Sequence, residues 1–271
     1  MFAFGLIAIG IAPGQETFVA IYSKNRPEWT ISELGVYTIR SVVVSLYDTL
    51  GTAARSFIIN QASVEVVICD AEEKASALVK CKSECPTLKY IIMMDACSKQ
   101  FKDTAKQAGV AVYGFDEIEQ LGAKLDPKPS LEMVWNVFEQ LNKISRNKQV
   151  ISIQRPKMDD LCTLCYTSGT TGTPKGVMLT HGNVIATTTV FQYLKNVKLT
   201  NEDVLISYLP LAHMYERIVE NAAFQCGARV GFSRGDIKLL SEDIVELKPT
   251  MMPLVPRILT RIFDKVTSTS N

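Results

Sequence analysis

A chain of 271 residues, 47% hydrophobic and 21% charged, carries enough apolar surface for a sizeable core and reads as a globular protein of one large domain or two lobes. Its 29 Lys and Arg against 28 Asp and Glu leave a net charge of +1, which supplies no long-range field for nucleic acid or an acidic membrane surface. No nucleic-acid partner is therefore expected, and seven scattered cysteines, without the dense spacing of a secreted disulfide framework, fit a reducing compartment.

In chain order, the apolar run from Phe2 to Ala12 is too short for the roughly 20 residues of a membrane-spanning helix and reads as a packed helix. Strands are expected at 18–22, 42–46, 64–69 and 88–94, alternating with helices from Pro27, from Thr52, over 71–82 and through Phe101. Pro27 suits the first position of a helix, and Asp70 is the expected N-cap of "CDAEEKASALVK". Such alternation predicts an α/β fold of mostly parallel strands with helical crossovers. Residues 126–158 interrupt the rhythm with "DPKPS", an amphipathic "LEMVWNVFEQL" and the polar "NKISRNKQ". The expected organisation is thus a first α/β lobe over 1–125, a linker or insertion over 126–158, and a second α/β lobe over 159–271. In the second lobe, strands are expected at 161–166, 177–179, 204–209, 229–232 and 251–255, with helices from about Asn183, over 216–224, over 239–247 and from Pro256. Cys162 and Cys165 form a CxxC spacing, but in a strand an offset of three puts the side chains on opposite faces, so two buried small residues are expected rather than a metal pair.

The stretch "YTSGTTGTPKG", Tyr166 to Gly176, concentrates hydroxyls, glycines and one lysine. Glycine permits close backbone approach, hydroxyls donate hydrogen bonds and a lysine follows charge, so the stretch suits a polyanion such as a nucleotide's phosphates. It is not a P-loop: Pro174 stands where the second glycine of GxxxxGK[ST] belongs, and Gly176 replaces the hydroxyl residue after the lysine. Strands on both sides make it a glycine-rich hairpin connection in which Thr167, Ser168, Thr170 and Thr171 offer hydroxyls, Gly169 and Gly172 can turn N–H groups inward, and Lys175 supplies the charge.

"YTSGTTGTPKGVMLTHGN" resembles the phosphate-loop signature of the adenylate-forming superfamily. "SKNRPEW", "VSLYDTLG", "LISYLPLAHMYERI" and "PTMMPLVPRIL" narrow the resemblance to the long-chain acyl-CoA synthetases, over nearly the whole chain apart from 130–149. The resemblance implies ATP-dependent activation of a long-chain fatty acid as acyl-AMP, followed by transfer to coenzyme A. It implies that Thr167, Ser168, Gly169, Thr170, Thr171, Gly172 and Lys175 bind the phosphates, that Thr170 lies beside Mg²⁺, and that His213, with Lys175, belongs to the catalytic site. A pocket-shaping role without proton transfer, or a helix-terminal histidine satisfied by backbone, are both open for His213. His181 is expected to help cap the following helix, and Glu216 and Arg217 to form solvated or interlobe ion pairs.

Members of that family are more than twice this length. The resemblance therefore implies part of the N-terminal domain of the adenylate-forming fold, in two lobes of mostly parallel sheet flanked by helices. The adenine and ribose motifs and the C-terminal lid are expected to be absent, and the chain alone to bind ATP weakly. Another adenylate-forming ligase, or an inactive ATP-binding or regulatory fragment, is the alternative. The family also implies the cytoplasmic face of the endoplasmic reticulum, the mitochondrial outer membrane or the peroxisome, with membrane association through the parent protein.

Overall fold

The computed structural model describes residues 1–125, 155–167, 173–194 and 199–269. The expected insertion at 126–158 lies mostly outside them. The chain divides into two compact units, Met1–Ala186 and Thr187–Asn271.

The first unit is built on β1 (Phe18–Tyr22), β2 (Val42–Ser45), β3 (Val66–Cys69), β4 (Tyr90–Met93), β5 (Ala111–Gly114), β6 (Leu161–Thr167) and β7 (Lys175–Thr180). They form one seven-stranded sheet in the order β5-β4-β3-β1-β2-β6-β7, parallel except for the antiparallel β7. Helices α1 (Phe2–Ala8), α2 (Pro27–Thr38), α3 (Thr52–Gln61), α4 (Glu72–Lys80), α5 (Lys99–Gln107) and α6 (Phe115–Leu125) connect and flank it. The central strands are β-branched runs, "VVVS" in β2 and "VVIC" in β3, buried at every position. That continuous burial is what a parallel sheet covered on both faces requires.

The chain starts in the middle of the sheet at β1, moves to β2 on one side and then to β3 on the other, so its direction reverses about β1. At the carboxyl ends of these strands lies a ring of charge. Lys74 bridges Asp48 at 2.5 Å and Asp70 at 2.8 Å, and Asp70 also accepts the Lys24 N–H at 2.9 Å. The Tyr22 ring packs under both Arg55 and Lys74, with centroid distances of 5.6 and 5.0 Å. Asp70 is thereby committed to Lys24 and Lys74, and Ala71 rather than Asp70 stands at the N-cap of α4. The single-residue capping expectation loses to an ion pair that the sequence places one helical turn away.

Two long-range ties carry β6 into this sheet. Arg40, in the left-handed region at φ 59°, forms a two-pronged ion pair with Asp160 at 2.6 and 2.7 Å. Gln15 donates to the carbonyls of Arg40 and Leu161 and accepts the Leu161 N–H at 2.7 Å. The expected lobe boundary at 159 falls just before β6. Strand pairing takes β6 against β2 and β7 against β6, so the compact unit continues to Ala186.

Helices α1 and α6 cross at glycines. A Cβ on Gly5 would lie 2.0 Å from the Ile118 carbonyl oxygen, and one on Gly122 would lie 2.0 Å from that of Met1. The two helix backbones therefore touch, which only glycine allows. The packed helix expected near the start is α1. The β5 and α6 elements were not expected: β5 is a half-exposed edge strand without an apolar run to announce it.

The second unit contains β8 (Val204–Ser207) and β9 (Arg229–Phe232), paired in parallel, with α8 (Met214–Gln225), α9 (Leu240–Leu247) and α10 (Pro256–Thr269). Helix α7 (His181–Tyr193) follows β7 and carries the chain across the limit between the units. The buried cluster here is small: Leu205, Val219, Ala223 and Ala228, with Phe191, Val230 and Met251 packed against it. The strand expected at 251–255 is reduced to a single bridge between Leu205 and Met251. Pro253 and Pro256 remove the amides that a longer ladder would need.

Candidate functional site

The hairpin β6–β7 is built for contrast between its strands. Residues 162–166 of β6 are buried, whereas β7 is exposed from Lys175 to Met178. Pairing ends at Thr167 opposite Lys175, so these two side chains share one face at the open end of the hairpin, with Cβ atoms about 5 Å apart as in any directly opposed pair. Both are exposed, and Lys175 has no ion-pair partner among the described residues. A hydroxyl and an ammonium side by side at a strand end are donors free to meet an anion. Ser168, Gly169, Thr170, Thr171 and Gly172, the remainder of the expected phosphate-binding stretch, lie outside the described residues. Thr170, the expected Mg²⁺ neighbour, is among them, and no cluster of three or more His, Cys, Asp or Glu that could hold a metal occurs among the described residues.

What holds the base of this hairpin was not foreseen. Gly176 faces Tyr166 across the ladder, and a Cβ there would come within 3.1 Å of the ring. The ring covers the bare glycine, and its hydroxyl bonds to Gln61 at 2.9 Å, tying β6 to α3. Burial pushes the Tyr166 phenol up, so it remains a neutral donor. The signal was present in the sequence as an aromatic residue ten before a strand glycine, but only the register makes the two neighbours.

At the other end of β7 the expected capping role of His181 passes to its neighbours. Asn183 N–H donates to the Thr180 hydroxyl at 3.2 Å, and Asn183 Oδ1 accepts the Thr180 N–H at 3.0 Å, a reciprocal capping box with asparagine in the acid's place. His181 packs edge-on against Tyr37 with ring centroids 4.9 Å apart, and its Nε2 is buried without a hydrogen-bond partner. Burial lowers its pKa, opposed by Asp160 and Glu33.

His213 is exposed and stands at the N-cap of α8. Its Nδ1 accepts the Tyr215 N–H at 3.1 Å, which satisfies one of the orphan amides of the helix start. An imidazole that accepts at Nδ1 carries its proton on Nε2. The outward atom is therefore a hydrogen-bond donor, and removing a proton from a substrate would require giving up the cap. Of the two readings left open for His213, the geometry bears on the second: the imidazole is satisfied by backbone on one nitrogen, and the other faces outward as a donor.

Glu216 and Arg217 depart from the solvated half of their expectation. Neither is solvated: they are 0% and 1% exposed, and Glu220, one turn further, is 2% exposed. A charged residue after a helix start reads as surface from sequence, and only packing reveals otherwise. Cys162 and Cys165 are buried and not joined in a disulfide, as the strand period implied.

The model of the AMP-binding enzyme family matches residues 1–270. The chain belongs to the AMP-binding enzymes. Among curated AMP-binding relatives, the mouse Long-chain-fatty-acid--CoA ligase 5 is 43% identical over 265 residues, covering 96% of this chain and 35% of that protein. Human Long-chain-fatty-acid--CoA ligase 1 is 38% identical, covering 98% of this chain and 35% of that protein. The chain thus spans about a third of the length of the curated relatives it matches. Among solved structures, the adenylation domain of a Mycobacterium chelonae carboxylate reductase superposes with a TM-score of 0.78 at 20% identity, over 99% of this chain and 39% of that one. The Bacillus subtilis o-succinylbenzoate CoA synthetase, solved with its acyl-adenylate intermediate, gives 0.63 at 21% identity, over 97% of this chain and 55% of that one. At these identities the likeness establishes the fold of this AMP-binding chain: mostly parallel sheet flanked by helices, as in the N-terminal part of adenylate-forming enzymes.

Proposed function

We propose that this chain contributes the phosphate-gripping and acyl-facing parts of a long-chain fatty acid–CoA ligase. The observation that carries the reading is the hairpin end at Thr167 and Lys175, where an exposed hydroxyl and ammonium share one face beyond a buried, well-anchored strand. The names of the relatives supply the substrate class.

A carboxylate is a poor acyl donor because its leaving group would be oxide. In the proposed reaction the fatty carboxylate oxygen attacks the α-phosphorus of ATP, the bond to the β-phosphate oxygen breaks, and pyrophosphate departs. Coenzyme A's thiol then attacks the acyl carbonyl of the mixed anhydride, AMP leaves and the thiol proton is released. No protein nucleophile is required, so catalysis reduces to positioning and to stabilising charge as it moves. Lys175, on a mobile stem, follows the charge that builds on the departing pyrophosphate, with Thr167 and the expected donors at 168–172 around it. Thr170 would stand beside a bound Mg²⁺, which would supply a hard cation to offset the phosphate charge. Nε2–H of His213 donates to a carboxylate or acyl-phosphate oxygen.

Action at the cytoplasmic face of the endoplasmic reticulum, the mitochondrial outer membrane or the peroxisome is part of the same proposal. No helix among the described residues is long and apolar enough to cross a membrane. The test is fatty-acid-dependent exchange of pyrophosphate into ATP. The 271-residue chain is expected to show little exchange, and the longer protein carrying Lys175→Ala much less than its parent. An unchanged rate in that variant removes the phosphate assignment.

A further inference from the structure

Helix α8 carries an acid at the third helical position after its His213 cap. In a capping box such an acid turns back to the N–H of the cap residue. Here that N–H is already taken, donating to the Pro210 carbonyl at 2.8 Å. Glu216 turns inward and is fully buried. Its carboxyl faces the Ser207 side chain and the backbone of Tyr208 and Leu209, so it lies behind the segment that joins β8 to the cap. Neither of its oxygens closes a hydrogen bond of ordinary length and angle. Tyr208, on that segment, in turn donates its hydroxyl to the Pro253 carbonyl, so the segment is held from both sides.

We propose that Glu216 is a positioning residue for His213: its carboxylic acid fills the space behind segment 207–213 and so sets the direction in which the exposed imidazole offers its Nε2–H. The substrate that meets this donor, a carboxylate on its way to an acyl phosphate, rests on the ligase reading above; the positional coupling does not.

A carboxyl this deeply buried stays neutral, because ionising it would put a charge away from water. Burial first, then the neighbouring Glu220, push Glu216 up to about 8, against the milder opposite pull of Ser207 and the Tyr208 and Leu209 amides. The titratable and charged groups around it are Tyr208 on the segment, and Tyr215, Arg217 and Glu220 on its own helix. The Tyr208 phenol rises to about 12, chiefly through its own burial, and stays neutral over the range that matters. Glu216 therefore changes charge just above neutrality. Since its folded-state value lies above the ordinary 4.5, the folded state keeps a proton that the unfolded chain releases. Its contribution to stability is complete below about pH 4.5 and is lost as pH rises through 8. Ionisation strengthens the pull of the carboxylate on the Ser207 hydroxyl and the Tyr208 and Leu209 amides, so segment 207–213 shifts and His213 with it.

The chain has two histidines, so the ring signals of His213 and His181 can be followed together by NMR in the intact protein. In the parent, the His213 signals are expected to show an inflection near pH 8, and His181, in the other unit, to serve as the control for an intact fold. Glu216→Gln keeps the shape and cannot ionise. It is expected to leave the His213 signals at pH 7 in place and to abolish the inflection, while thermal stability no longer declines between pH 5 and 8. Glu216→Ala is expected to shift or broaden the His213 signals with those of His181 unmoved. An inflection that is absent from the parent, or that persists in Glu216→Gln, overturns the proposal, and so does a folded Glu216→Ala variant with unmoved His213 signals. Failure of Lys175→Ala to slow pyrophosphate exchange would sink the ligase reading and leave this coupling standing.

Discussion

The two units of this chain bury different things. The first packs hydrocarbon: Val19, Ile21, Val42, Val43, Val44, Val66, Val67 and Ile68 all lie at 0% exposure in the central strands. The second has a small apolar cluster and buries Glu216, Arg217 and Glu220 along one helix at 2% exposure or less, whereas the first unit's buried charges, Glu33, Arg55, Asp70 and Asp160, accompany a much larger apolar core. At about 25 cal/mol per Å² of apolar surface, cohesion comes from the first kind of burial. Buried ionisable groups cost free energy unless matched, and they persist where a particular geometry is needed. The apolar sheet of the first unit therefore acts as the scaffold, and the residues of the proposed function stand at the exposed end of its β6–β7 hairpin and, in the second unit, at the start of α8.

The sharpest way to break this contrast is at the α1–α6 crossing. Gly122→Ala pushes a methyl into the Met1 carbonyl, a backbone atom that cannot step aside, and is expected to cost about 3 kcal/mol in denaturant unfolding of the scaffold. A cost below about 1 kcal/mol would show that the two helices are not held in contact. Gly231→Ala in β9 is the counterpart in the second unit. The obstacle there is the Leu247 side chain, at 2.5 Å, which can rotate, so a loss of about 1 kcal/mol is expected.

Between these lies the acid behaviour of the scaffold. Arg40 foremost, with the Lys157 amide, holds the Asp160 carboxyl down to about 2. Because that lies below the ordinary 3.8, the ion pair stabilises the fold above about pH 4 and is lost as pH falls toward 2. Asp160→Asn is expected to flatten the acid limb of the stability curve there and to leave the alkaline limb alone; an unchanged acid limb would assign it to other carboxylates. The smallest effect on stability is expected from Lys175→Ala, within about 0.5 kcal/mol, since the side chain is exposed. A large destabilisation by that change would mean that the lysine supports the hairpin and is not held free for a ligand.

Much of the first unit was legible because its strands are uninterrupted β-branched runs separated by helical patterns, and strands at 18–22 and 229–232 fall where the pattern put them. Elements that depend on partners were not legible. Strand β5 exists because β4 offers an edge, and the 251–255 strand shrinks to one bridge because prolines withhold the donors. Of the candidate site, Lys175 and His213 were readable as residue types in a motif. Tyr166 under Gly176 and the inward turn of Glu216 were not, since each arises from register or packing between positions that carry no joint signal in one sequence. Asp70 and His181 show the same limit from the other side, as plausible caps displaced by Lys24 and Lys74 in one case and by the Thr180–Asn183 pair in the other.

The pairing of Arg40 and Gln15 with the entry to β6 has a practical consequence for protein engineering. Because the entry to β6 is bolted by Arg40 to Asp160 and by Gln15 to Leu161, the alignment of β6 with β2 is fixed by contacts outside 126–154. Doubling the length of a flexible connection costs only about 0.6 kcal/mol of closure entropy. A reporter domain or affinity handle spliced between 126 and 154 should therefore leave the scaffold's register undisturbed, which makes this the natural insertion port for following the protein in cells.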